Sequence, residues 1–309
     1  MSTSQAEPAR GASRTHRRIL YVPGIRAKPE PGVHVPLLRR CVLEGVRRAD
    51  PAVAAQLAGQ PETLRPVLWG HLLYDGYRDV GADLPAIEAL LAAEPLPGSV
   101  RDVFAAGPRV TRLAHHLGDR FPGLINWLAG DATRANLIDS ARYFRNAGGV
   151  GDRIRALLAA ELKAAWSAGE RVLLMAHSFG SVIAWDTLWE LRRDAGPVEV
   201  FLTLGSPLGT RWIRRRLKGA GRAGDERFPH GIGRWENLSA TGDLAALGHR
   251  FAADFAVMRE AGLVAEITDR TDLLNPFRGA DGLNVHRCYG YFVNRATGEA
   301  IARWWHPTA

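Results

Sequence analysis

An apolar run between residues 172 and 188 is interrupted by Ala176-His177-Ser178-Phe179-Gly180. Val172-Leu173-Leu174-Met175 reads as a buried strand, and Val182, Ile183 and Leu188 give the next segment the apolar character of a buried helix. A tight strand-to-helix turn strains its central residue, so the positions two before and two after must be small; here they are Ala176 and Gly180. This is the elbow pattern G-x-S-x-G with alanine at the first glycine. It would expose the Ser178 hydroxyl at the carboxyl edge of a sheet, as a nucleophile. It would also aim the Phe179 N–H, at the helix N-terminus, toward an oxyanion. Five residues also occur as an ordinary turn, and the strand before and helix after are what favour the nucleophile.

The surrounding elements decide what such a serine can meet. Residues 18–22 read as a short buried strand ended by Pro23-Gly24, and 35–48 as a helix with Leu37, Leu38, Cys41, Val42 and Val46 at spacings of three and four. A strand at 64–69 and a helix at 82–91 follow, stopped by Pro95-Leu96-Pro97-Gly98. Residues 99–148 break the alternation. Their amphipathic pieces, with Phe104, Phe121, Leu124, Ile125, Trp127 and Leu128, predict a mostly helical insertion. The alternation resumes with a helix at 152–166, a strand at 171–176, a helix at 179–192 and strands at 198–204 and 234–239. A helix at 247–260 and a strand candidate at 263–267 close it. Strands alternating with helices predict an α/β fold, a mainly parallel sheet covered on both faces. Residues 1–17 read as a disordered tail, leaving 18–309 as one domain.

The 309 residues, 46% hydrophobic and 23% charged, are a globular balance with enough apolar material for a sizeable core. The two cysteines, Cys41 and Cys288, make no disulfide framework and fit a reducing compartment. The basic N-terminus has no apolar h-region, and no run approaches the roughly 20 apolar residues of a membrane span, so a cytoplasmic protein is expected. A net charge of +8 raises anionic partners. The densest cluster, Arg211-Trp212-Ile213-Arg214-Arg215-Arg216-Leu217-Lys218, reads either as a solvated face or as a peripheral contact with anionic membrane. No zinc-finger spacing, RNA-binding aromatic signature or heptad accompanies it, and no nucleic acid partner is expected.

Together these features resemble the α/β-hydrolase superfamily, in its lipase and esterase branch, over about residues 18–293 with the insertion excepted. Thr203-Leu204-Gly205-Ser206-Pro207-Leu208-Gly209 is similar to the strand end after the nucleophile helix in lipase-like members. Residues 18–24 are similar to their early strand, which leads into the oxyanion loop. That loop usually reads His-Gly; here it is Pro23-Gly24-Ile25, and either Gly24 or Ile25 is the second oxyanion donor. The resemblance implies chain order serine, acid, histidine, because a serine needs a general base and the base an orienting carboxylate. Of the histidines beyond residue 240, His249 falls in the expected helix and His306 in the terminal tail. His286, in the loop-like Gly282-Leu283-Asn284-Val285-His286-Arg287-Cys288-Tyr289, stands where the family places its base. Asp243, beyond a glycine-containing turn after the strand at 234–239, is the expected acid, with Asp272 the runner-up. Asp186, on the nucleophile helix, is expected to face away. The insertion would fold over the carboxyl edge as a lid, lining an acyl pocket or simply adding packed helices.

The implied activity is hydrolysis of carboxylic esters, small or lipid, through an acyl-enzyme. An acyltransferase or thioesterase would use the same residues, and a non-catalytic binding protein would keep the scaffold without the chemistry. Adjacent His115 and His116 point apart on a helix, His71 with Asp75 has helical spacing but no third ligand, and Ser206 is better placed to shape the site's floor. No metal and no organic cofactor are expected.

Overall fold

Successive strand residues point to opposite faces of a sheet, and here both faces are apolar. Ile19, Tyr21, Leu173, Met175, Val200 and Leu202 join one core, while Leu20, Val22, Val172, Leu174, Ala176 and Phe201 join another. Burying one such aliphatic side chain contributes about 1.5–3 kcal/mol, so two-sided burial holds these strands flat between layers of helices. The computed structural model describes residues 16–93, 131–194, 196–246 and 250–306, with 131–137 as helical backbone. Residues 1–15 of the expected tail and 99–130 of the expected insertion lie outside the described residues, as do 94–98 before it.

Six strands form one parallel sheet in the order β2-β1-β3-β4-β5-β6. They are β1 (Arg17–Val22), β2 (Leu64–Pro66), β3 (Arg171–His177), β4 (Val198–Leu204), β5 (Ile232–Ala240) and β6 (Glu266–Leu273). The first core is covered by α1 (Pro31–Ala49), α2 (Pro51–Ala58), α3 (Leu84–Ala92), α10 (Cys288–Phe292) and α11 (Arg295–Trp305). The second is covered by α4 (Asp131–Arg145), α5 (Val150–Ser167), α6 (Gly180–Leu191), α7 (Arg211–Arg214), α8 (Phe251–Asp254) and α9 (Ala256–Glu260). A two-stranded antiparallel hairpin, β7 (Arg278–Gly279) with β8 (Gly282–Leu283), precedes α10. Helices α1 and α11 cross at bare backbone: a Cβ on Gly298 would lie 1.9 Å from the Gly45 carbonyl oxygen.

The strand order reverses at β1. The chain leaves β1 toward α1 on one face and leaves β3 into α6 on the other, so the carboxyl ends of these neighbours flank a crevice. In open parallel sheets such a switch point is where ligands bind.

Three elements differ from the sequence expectation. The strand at 64–69 stops at Pro66; Val67 N–H still reaches the Tyr21 carbonyl (2.8 Å), and the Trp69 indole then donates to the Pro23 carbonyl (2.9 Å). The helix at 247–260 is two short helices broken at Phe255 (φ −121°, ψ 22°), with 247–249 outside the described residues. The strand at 263–267 begins at Glu266, because Val264 is buried in the turn before the sheet edge. Cys41 and Cys288 are free thiols. No helix among the described residues is long and apolar enough to cross a membrane.

Candidate active site

Ser178 sits between β3 and α6 with φ 54°, a left-handed conformation that costs a non-glycine residue of order 1 kcal/mol. The turn is tight because α6 packs on β1: a Cβ on Gly180 would lie 2.2 Å from the Val22 carbonyl oxygen. Ala176 is wholly buried, so the small residues flanking the serine are demanded by packing. Ser178 N–H is spent on the Leu204 carbonyl (2.9 Å). The N–H groups of Phe179, Gly24 and Ile25 have no acceptor among the described residues. Gly24 backs onto Ser178, since a Cβ there would lie 2.9 Å from the Ser178 Cβ. All three expected oxyanion donors therefore lie on the two loops that meet at Ser178.

His286 lies in the loop between β8 and α10, and its Nε2 accepts from Ser178 Oγ at 2.8 Å. Its Nδ1–H donates to both oxygens of Asp243, at 2.9 and 2.8 Å. Asp243 follows β5 and is wholly buried. A buried carboxylate needs partners, and it also accepts from Tyr291 Oη (2.5 Å) and from Ala245 N–H (3.0 Å). Tyr291 in turn accepts from Ala240 N–H at 2.8 Å. Burial opposes protonation of His286, but the Asp243 charge and hydrogen bond outweigh it and raise the ring's pKa above the ordinary histidine value. Gly205 (φ 55°) leaves room for the relay: a Cβ there would lie 2.6 Å from Asp243 Oδ2 and 3.0 Å from the Tyr291 hydroxyl.

Further side chains hold the His286 loop in place. His177, within the elbow itself, donates from Nε2 to the His286 carbonyl (2.9 Å), and the two rings lie 4.9 Å apart. Burial, followed by the neighbouring His286, keeps His177 well below the ordinary pKa, so it is a neutral clamp. Buried Asn275 donates to the Val285 and Arg287 carbonyls, both at 2.8 Å. Three consecutive carbonyls, those of Val285, His286 and Arg287, are thus fixed. The loop after β1 is held likewise: Tyr74 Oη accepts from Arg26 N–H (2.9 Å) and donates to Asp139 (2.7 Å). Arg26 there has φ 88°.

The other expected residues lie elsewhere. Asp272 is exposed within β6. Asp186 is buried and bonded to neither Ser178 nor His286: it accepts from Tyr143 Oη (2.9 Å) and Lys218 N–H (2.7 Å), and burial raises its pKa to about 6. His306 pairs with Asp50 (3.1 Å). His71 lies in a 3-10 turn with Nδ1 on the Leu68 carbonyl, and so lacks helical spacing to Asp75. Ser206 bonds Ser181 Oγ (2.7 Å), whose hydroxyl donates to the Ser178 carbonyl (2.6 Å), beneath the elbow. In the basic cluster, Lys218 pairs with Glu190 (2.9 Å) and Arg216 covers Trp212 (4.2 Å). His115, His116 and His249 lie outside the described residues. Among the described residues no group of three His, Cys, Asp or Glu is arranged to hold a metal. No protein family, curated protein or solved structure matches the chain.

Proposed function

We propose that the chain is a serine hydrolase of carboxylic esters on an α/β-hydrolase scaffold, working through an acyl-enzyme. The observation that carries the reading is the unbroken relay from Ser178 Oγ through His286 to Asp243, with each link between 2.8 and 2.9 Å. Ser178 Oγ attacks the acyl carbon as His286 Nε2 takes its proton. The imidazolium is held by Asp243, and the oxyanion by Phe179 N–H with Gly24 or Ile25 N–H. Collapse breaks the ester bond, and the departing alkoxide takes the proton from His286. Water, deprotonated by His286, then releases the acid and restores Ser178. Transfer of the acyl group to an alcohol or thiol would use the same groups, and the products distinguish the two.

Labelling by a fluorophosphonate probe tests the nucleophile. Wild type should label and Ser178→Ala should not; undiminished labelling of the variant rejects the assignment. Phe144, Phe179 and Trp212 form an edge-to-face wall beside the elbow, with ring centroids 5.7 and 5.5 Å apart along the chain of contacts. Such a wall suits an apolar acyl chain, and each methylene buried is worth about 0.8 kcal/mol. Across p-nitrophenyl esters from acetate to palmitate, kcat/KM should therefore rise more than about tenfold toward medium or long chains. A flat or falling series leaves the relay and rejects the lipid-like substrate.

A further inference from the structure

The aromatic wall packs on the α6 face of the sheet; on the other side of Ser178 a group of cations lies close enough to His286 and His177 for Lys28 and Arg287 to oppose protonation of both rings. Lys28 comes from the loop after β1, Arg78 from the loop after β2, and Arg287 is the residue after His286. Arg78 Nη2 and Arg287 Nη2 both donate to one oxygen of Asp83, so a single carboxylate serves two guanidinium groups. Lys28 Nζ donates only to neutral carbonyls, those of Ile25 (2.9 Å) and Arg26 (3.0 Å), and forms no ion pair among the described residues. Among the described residues, Lys28, Arg78 and Arg287 thus have one carboxylate between them, that of Asp83. Two buried polar atoms in this cluster also lack hydrogen-bond partners: Arg287 Nε and Nε2 of His34, a residue only 2% exposed.

A surplus of like charge in a half-buried crevice is costly for the fold alone. The strain is visible in Lys28: burial first, and then repulsion from Arg287, Arg78 and Arg26, lower its pKa to about 8. His34 is held neutral by burial and by the same three cations, Lys28, Arg78 and Arg287. Arg78 and Arg287 keep 33% and 27% of their side chains exposed, so the cluster remains open to solutes. Arginine and lysine together match carboxylate and phosphate oxygens in charge and donor geometry.

We propose that this group of Lys28, Arg78 and Arg287 binds an oxyanion group on the alcohol portion of the ester, a carboxylate or a phosphate. This rests on Ser178 being the nucleophile and on the aromatic wall taking the acyl portion. The preferred substrate is then two-ended, apolar on the acyl side and anionic on the alcohol side.

Matched pairs test it. The butyryl ester of 4-hydroxyphenylacetate is compared with that of 4-hydroxyphenylacetamide, and the butyryl ester of 4-hydroxybenzyl phosphate with that of 4-hydroxybenzyl alcohol. In at least one pair the charged member should have a kcat/KM about tenfold higher at low ionic strength, and the advantage should shrink in high salt. The pair that responds tells carboxylate from phosphate. Lys28→Met and Arg78→Gln should each lower the charged-to-neutral ratio several-fold, and Lys28→Arg should retain it. If Lys28→Met does not fold, because it gives up two loop hydrogen bonds, Arg78→Gln carries the test. Ser178-dependent hydrolysis with equal rates in both pairs overturns the anion site and leaves the hydrolase. If no ester is cleaved, the melting temperature decides: stabilisation of wild type by 4-hydroxyphenylacetate or 4-hydroxybenzyl phosphate, weakened in Arg78→Gln, keeps the anion site while the hydrolase reading falls. No stabilisation overturns it.

Discussion

Ser178 was legible in the sequence because its constraint is local: a strand, a turn and a helix within a dozen residues imply the strained φ and the small neighbours. His286 and Asp243 were legible only as candidates, from chain order and loop position. Their groups meet across 43 residues, and His286 meets Ser178 across 108. Tyr291 and Asn275 gave no signal, since a tyrosine under a carboxylate and an asparagine under a loop look like ordinary core and turn residues until the chain is folded. At this scale the pH profile is the sharpest check. In the proposed mechanism His286 must be neutral to act, so kcat/KM should rise with pH through its ionisation, with a midpoint above the ordinary histidine value because of Asp243. Asp243→Asn removes the charge that raises it. That variant should lose activity heavily and its remaining acid limb should move to lower pH; an unmoved limb argues against the pairing. His286→Ala should lower kcat by a factor on the order of 10³ or more, measured with any ester the wild type cleaves.

Among elements, strands buried on both faces were read well, because an apolar run is their signature. β6 was read poorly for the opposite reason. It lies at the sheet edge and its sequence, Glu266-Ile267-Thr268-Asp269-Arg270-Thr271-Asp272-Leu273, buries only Ile267 and Leu273. Its apolar neighbours Leu263 and Val264 drew the expectation too early in the chain. The helix at 247–260 failed at Phe255, whose ring packs on Trp185 and Trp235 while its backbone leaves the helical region. The segment 284–288 depends on its clamps more than on its own conformation. Asn275→Ala should therefore free the Val285 and Arg287 carbonyls and lower kcat about ten- to a hundredfold with a smaller change in KM. An effect confined to melting temperature would mean that the loop is held without Asn275.

Taken whole, the molecule brings Ser178, His286 and Asp243 together beside the place where the strand order turns back, with α1 and α6 on opposite faces of the sheet. That arrangement relies on α11 lying close against α1, where glycine meets glycine. Gly298→Ala would force a Cβ against the Gly45 carbonyl and should cost about 1–3 kcal/mol, lowering the melting temperature by several degrees. An unchanged melting curve would show that the two helices yield at no cost. The distance along the chain between nucleophile and base has a kinetic counterpart. The helix at 180–191 can form early from near neighbours, whereas the segment that carries His286 joins through contacts of long range, the slow kind to close. During refolding, helical signal therefore returns before the serine becomes reactive. Under the proposed function, ester turnover is then a clock for the last step of assembly, readable without any added label.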